Sequence, residues 1–228
     1  MAGLGAAIIW GMSATATTRQ GVNFHLSTQP IPLYVKAIDF LHRHYQYQRI
    51  ARQVVTGVRG DQPRALAVFR WTREHLPMTP KGWPIVDDHV LHIIIRGHGV
   101  DDQMADVFTT LLTYAGVPAF WDYVRPSDQG PTLVLSFVKV DGVWTVFDVA
   151  HDLVFADAQG RLVDVETLLK DPALTDAIAG DRRPWGLPYS RYLEQLDPFT
   201  VPDILRAEQQ MPGPRLLYEV RQATRWRR

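Results

Sequence analysis

Apolar positions along this chain keep one spacing up to about residue 118 and another after it. The most regular stretch holds Met104, Val107, Phe108, Leu111, Leu112 and Ala115 on one helical face, which predicts a helix over 101–115. Asp101 and Asp102 stand at its start, where carboxylates suit the positive end of the helix dipole, and Gly116 with Pro118 ends it. Just before it, the apolar run HVLHIII closes on Gly97 and Gly99, so a buried segment turns sharply into a helix N-terminus. Upstream, Pro30 and Pro32 introduce a helix over 33–55 with Tyr34, Ile38, Leu41 and Tyr45 on one stripe, broken by Gly57 and Gly60. Asp61-Gln62-Pro63 starts another, carrying Ala65, Val68, Phe69, Thr72 and Leu76 inward.

Beyond residue 118 the period shortens. AFWDYV, TLVLSFVKV, VWTVFDVA and LVF read as short strands, with Asp141-Gly142 as a hairpin turn and Gln159-Gly160 as a later one. Helices followed by antiparallel strands point to an α+β domain and away from a doubly wound sheet.

The two ends differ from this core, so the chain divides into 1–20, 21–172 and 173–228. From Asp171 onward proline recurs between short helical pieces at 201–210 and 216–226, which predicts a helical extension wrapping the core. Residues 3–12 are apolar and uncharged, but shorter than the roughly 18 residues of a membrane span. They lack a basic leader, although Ser-Ala-Thr-Ala offers the small residues of a cleavage site. Two readings stay open, a signal or anchor remnant and an arm packed on the body. The first is preferred; it implies membrane association through residues 1–18 and an extracytoplasmic or membrane-associated setting, the second a cytoplasmic one.

Composition narrows the chemistry. Lys plus Arg and Asp plus Glu are 24 each, so nothing draws the chain toward nucleic acid. The basic cluster Arg221, Arg225, Arg227 and Arg228 reads as a solvated tail. Cysteine is absent, which removes disulfides, thiolate ligands and any thiol nucleophile at once.

The segments GHGVDDQMADVF, LLTYAGVPAFWDYV and VDGVWTVFDVA together resemble the transglutaminase-like superfamily of papain-type folds. The resemblance implies a cysteine at a helix N-terminus, a histidine on a following strand and an aspartate on the next. Gly99, Val100, Asp101, Ala105 and Phe108 fit the frame around that cysteine, which places Asp101 at the nucleophile position. Gly142, Trp144 and Asp148 match the glycine, tryptophan and triad aspartate, and counting back puts the histidine position at Leu133. No histidine occurs between His98 and His151. The match runs over about residues 65–160 and implies a papain/transglutaminase-like core of N-terminal helices on a small antiparallel sheet.

These departures reach the mechanism. In the parent reaction a thiolate attacks an amide, histidine shuttles the proton and aspartate orients the ring. Losing such members removes about 10³–10⁶-fold in rate, so thiol-dependent acyl transfer is not expected. The reading is a degenerate domain with no cofactor or metal that binds an extended peptide, polysaccharide or protein partner in the inherited cleft. The resemblance adds the cell envelope, where bacterial members often work. Trp83, Asp88, His89, His98, Asp101, Asp102 and Gln103 are the ligand-binding candidates, with Trp83, in a proline-glycine loop, as the ligand-facing ring. The alternative is a hydrolase or acyl-transfer enzyme using the Asp/His cluster, with or without a metal.

Overall fold

The first described element is a hairpin that the periodicity does not announce. In the computed structural model, which describes residues 11–87, 89–126 and 130–225, β1 (Thr15–Val22) pairs antiparallel with β2 (His25–Pro32). Its turn, Asn23-Phe24, takes positive φ at both residues (48° and 67°), the geometry that matches strand twist in a two-residue hairpin. β3 (Val86–Asp87) adds to the other side of β1, leaving the prolines of β2 on an edge, where a missing N–H costs no ladder bond. Gly21 makes that pairing close: a Cβ there would meet the Cβ of Asp87 at 2.9 Å.

Four helices follow: α1 (Leu33–Val54), α2 (Asp61–His75), α3 (Val90–Arg96) and α4 (Asp101–Tyr114). α3 resolves the HVLHIII run as a helix, with the His89 carbonyl accepting from the N–H groups of His92 and Ile93. Then come β4 (Ala119–Val124), β5 (Leu133–Val140), β6 (Val143–Asp148) and β7 (Leu153–Val154), one antiparallel sheet in chain order. Asp141 and Gly142 both take positive φ in the β5–β6 turn, as their sequence predicts.

The sheet is buried on both faces, and two cores result. On one side Val138, Val140 and Phe147 meet α4 through Val107, Phe108 and Leu111, and α4 meets α1, α2 and α3. On the other, Leu133, Leu135, Phe137 and Val146 meet the C-terminal part: α5 (Val165–Lys170), α6 (Pro172–Ala179) and α7 (Tyr189–Leu193). β5 is therefore almost wholly buried, with only Lys139 exposed. The final helix is α8 (Pro212–Arg225); of the stretch 201–210 only Glu208–Gln210 is helical, as a 3-10 turn, which corrects the expectation of a helix there.

The orientation of α1 departs from what an apolar stripe ordinarily marks. Tyr34, Ile38, Leu41 and Tyr45 face outward, Ile38 at 62% exposure. The inward face carries Arg43, Tyr47 and Ala51, with the Arg43 guanidinium ion-paired to Asp39. Tyr47 fixes this orientation, since its hydroxyl accepts from the Leu91 N–H at 3.1 Å and its ring meets Tyr114 edge-on.

Candidate functional site

The junction between α3 and α4 is built by backbone first. Gly97 ends α3 in the left-handed region (φ 73°), and Gly99 bonds both ways to the preceding loop: its N–H to Pro77 O (3.2 Å), its carbonyl from Thr79 N–H (2.9 Å). Gln103 ties this turn together. Its Oε1 accepts from the Val100 N–H (3.3 Å) and from Arg96 (3.0 Å), and its Nε2 donates to Val86 O at 2.7 Å. The N-cap position is Val100, so Asp101 and Asp102 lie in the first turn as dipole partners and not as caps.

Above this turn lies a cavity of about 810 Å³. Asp87, Asp101, Asp102 and Asp106 supply its carboxylates, and Phe24, Trp121, Tyr123 and Trp185 its rings, with Arg206 as the cation. Asp106 is buried and accepts from Trp121 Nε1 (3.2 Å) and from Arg206 (2.9 Å), whose guanidinium stacks 5.3 Å from the Trp121 ring centre. Burial raises the Asp106 pKa, and the Arg206 charge works against that. Asp102 Oδ2 accepts from the Tyr123 hydroxyl at 2.7 Å, while its Oδ1 is shut off from solvent with no donor. Tyr123 is held far above the usual phenol range, first by burial and then by that bond.

Behind Asp101 sits a second polar group. Asp148 is 0% exposed and accepts from the His151 ring at Nδ1 (2.9 Å), from the His151 backbone N–H (2.9 Å) and from the Tyr189 hydroxyl (2.8 Å). The bond to Asp148 raises the His151 pKa, and burial only partly offsets it. Asp101 is half-buried; desolvation raises its pKa, and the charge of His151 pulls the other way.

The expected residues divide. Asp101, Asp102 and Gln103 line the cavity, although the Gln103 amide is occupied by the fold. Trp83 and His98 do not: they pack edge to face at 5.3 Å, and His98 Nδ1 bonds Thr79. His89 caps α3 away from the cavity, and Asp88 lies outside the described residues. Leu133 does not line it either. Strand alternation turns it into the second core, and its neighbour Val134 lines the cavity instead. Among the described residues no three His, Asp or Glu side chains group so as to hold a metal ion.

Sequence reasoning missed what the two ends of the chain bring: Phe24 from the hairpin, Trp185 and Arg206 from the extension. The structure bonds His151 to Asp148, two members of the Asp/His cluster that lie three residues apart in the sequence.

The family model of the transglutaminase-like superfamily matches residues 48–149, from mid-α1 to just past Asp148. Over these residues the chain carries a transglutaminase-like domain. Solved structures similar to it include a candidate cysteine protease from Cytophaga hutchinsonii (15% identity, TM-score 0.41, 52% of this chain and 40% of that one). A candidate protease from Parabacteroides distasonis (14%, TM-score 0.37, 53% and 27%) is another. A structure described as a TGase matches at 10% identity and TM-score 0.37, over 64% of this chain and 46% of that one. The chain thus spans less than half the length of each. No curated protein matches the sequence. Within the transglutaminase-like domain, Asp101 occupies the helix start and Asp148 the strand end, and no cysteine stands anywhere in the chain. No helix among the described residues is long and apolar enough to cross a membrane.

Proposed function

We propose that this transglutaminase-like domain is a binding module that has no thiol acyl-transfer activity, and that its cleft takes an extended ligand bearing cationic groups. A basic peptide is the first choice and a cationic polysaccharide the second. The cell envelope, suggested by the family resemblance, is the setting. The observation that carries this reading is the set of carboxylates on the cavity wall, Asp87, Asp101, Asp102 and Asp106. They outnumber the single guanidinium, which Asp106 already engages. Phe24 and Trp185 stand exposed at the rim, both on left-handed backbone, placed to stack on a ligand.

Calorimetric titration with an oligolysine peptide, oligoglutamate and a neutral chitooligosaccharide tests the charge preference. Oligolysine is expected to bind, weakening with salt, and Asp102→Asn to lower its affinity about tenfold while leaving the melting temperature near that of the wild type. Equal binding of the three probes sinks the reading.

A second reading rests on His151. Its Nδ1 is fixed by buried Asp148, its side chain is 35% exposed, and it lies near enough to Asp101 to affect that group's charge. An imidazole so held can take a proton from water as the oxygen bonds to an acyl carbon, then return it to the leaving group. Hydrolysis of acyl esters that rises with pH through the raised His151 value and vanishes in His151→Asn favours this; a flat profile equal in both proteins excludes it.

A further inference from the structure

The cation seated in the cleft is the chain's own. Arg206 belongs to the C-terminal extension, yet its guanidinium lies on the cavity wall, on Asp106 at 2.9 Å and over the Trp121 ring at 5.3 Å. The receiving side of this contact is built into the core. Asp106 stands on α4 with its side chain 8% exposed, and the Trp121 Nε1–H donates to its other oxygen. Tyr123 meets Trp121 at 88°, with ring centres 5.1 Å apart, and makes a second aromatic wall. The donating side is loose by comparison. The Arg206 side chain is 59% exposed and springs from a turn, while its neighbours Leu205 and Ala207 are buried. The backbone is thus anchored, and rotation of the side chain alone takes the guanidinium out into water. Exposed ion pairs are weakly held, whereas a buried carboxylate left unpaired is costly, so exchange of one cation for another is easier than simple opening.

We propose that Asp106 and Trp121 form a subsite for the arginine side chains of a peptide ligand, which Arg206 fills in the free protein and leaves when the ligand binds. The subsite depends on the cleft's being a site for cationic ligands, and it narrows them to arginine-bearing ones. A guanidinium is a flat plate that stacks on an indole while its N–H groups donate in its own plane; an ammonium is a compact point charge and cannot do both. Arg206 therefore acts as a stand-in ligand that sets a threshold: a peptide arginine has to replace it to reach Asp106.

The full chain and its variants are titrated calorimetrically with hexa-arginine and hexalysine. Arg206→Gln is expected to bind hexa-arginine about tenfold more tightly than the wild type and hexalysine no more than about twofold more tightly. Adding Asp106→Asn to that variant removes the arginine gain. Arg206→Lys keeps the charge but loses the plate, and is expected to gain about threefold for hexa-arginine and nothing for hexalysine. Thermal melting of each variant shows whether it is folded; should Arg206→Gln unfold, Arg206→Lys decides alone. An equal gain for both peptides marks only the loss of a repelling charge and overturns the subsite, as does a gain that survives Asp106→Asn. Unchanged or weaker hexa-arginine binding overturns it too, and makes Arg206 a structural strut. In that case hexalysine binding by the wild type leaves the wider reading of the cleft standing, whereas binding of neither peptide by any of these proteins ends both.

Discussion

α4 and α1 carry apolar stripes of similar regularity, yet one is the centre of the molecule and the other looks outward. α4 is surrounded: the sheet covers one side and α1, α2 and α3 the rest, so Met104 through Leu112 are buried nearly all round. α1 lies against α4, α2, α3 and the β1–β2 hairpin with one side left open, and what it turns inward was chosen by specific contacts, the Tyr47 hydroxyl on the Leu91 N–H and the Tyr47–Tyr114 ring pair. Its aliphatic stripe was left for solvent, as was that of α8. Periodicity thus reports that a helix has an apolar side. Which side meets the body depends on who is available to meet it.

The largest expected effect tests the buried half of that comparison. Phe108 is fully buried and packs its ring against Phe69 and Phe147, with centres 5.9 and 5.3 Å away. Phe108→Ala removes that wedge between helix and sheet, and urea unfolding should show a loss of about 3–5 kcal/mol. A loss under about 1 kcal/mol would mean that α4 is not the core element described here.

A smaller effect asks whether depth counts for a polar group as it does for a ring. Asp148→Asn keeps the shape but sets an amide N–H donor against groups that themselves donate, the His151 ring and the Tyr189 hydroxyl, and should cost about 1–3 kcal/mol. The pH dependence has a definite sign. Because the fold raises the His151 pKa, its contribution is complete below the ordinary imidazole value of about 6.5 and is lost as pH climbs through the folded value. The stability gap between wild type and His151→Gln should therefore narrow from mildly acidic to mildly alkaline pH; a gap that widens contradicts the Asp148–His151 bond.

The same contrast explains what could be read beforehand. The strands β4 to β7 and the Asp141-Gly142 turn were legible because a sheet hairpin is written locally, in alternation and in positive-φ residues. Helix α4 was legible for a like reason, in the helical spacing of its apolar residues. The cavity was not, because its wall is assembled from three distant parts of the chain: Phe24, the start of α4, and Trp185 with Arg206. Leu133 shows the limit at the scale of one residue. Counting along the chain places it at the histidine position, but strand parity decides which core it enters. Hairpin β1–β2 escaped notice because its strands are mostly exposed and alternate no clear apolar face.

The smallest expected effect is the sharpest test of the exposed half. Ile38 stands at the middle of the outward stripe of α1, between Tyr34 and Tyr45. If solvent covers that stripe, Ile38→Ser changes stability by no more than about 0.5 kcal/mol, since serine and isoleucine differ little in helix propensity and no packing is lost. The measurement should be made over a hundredfold range of protein concentration. A cost near 2 kcal/mol that grows with concentration would mean that a second copy buries the stripe in solution, because mutual burial of an apolar face stabilises in proportion to its occupancy. α1 would then be an interior helix of an assembly, and the contrast with α4 would be one of partner, intramolecular against intermolecular, and not of exposure.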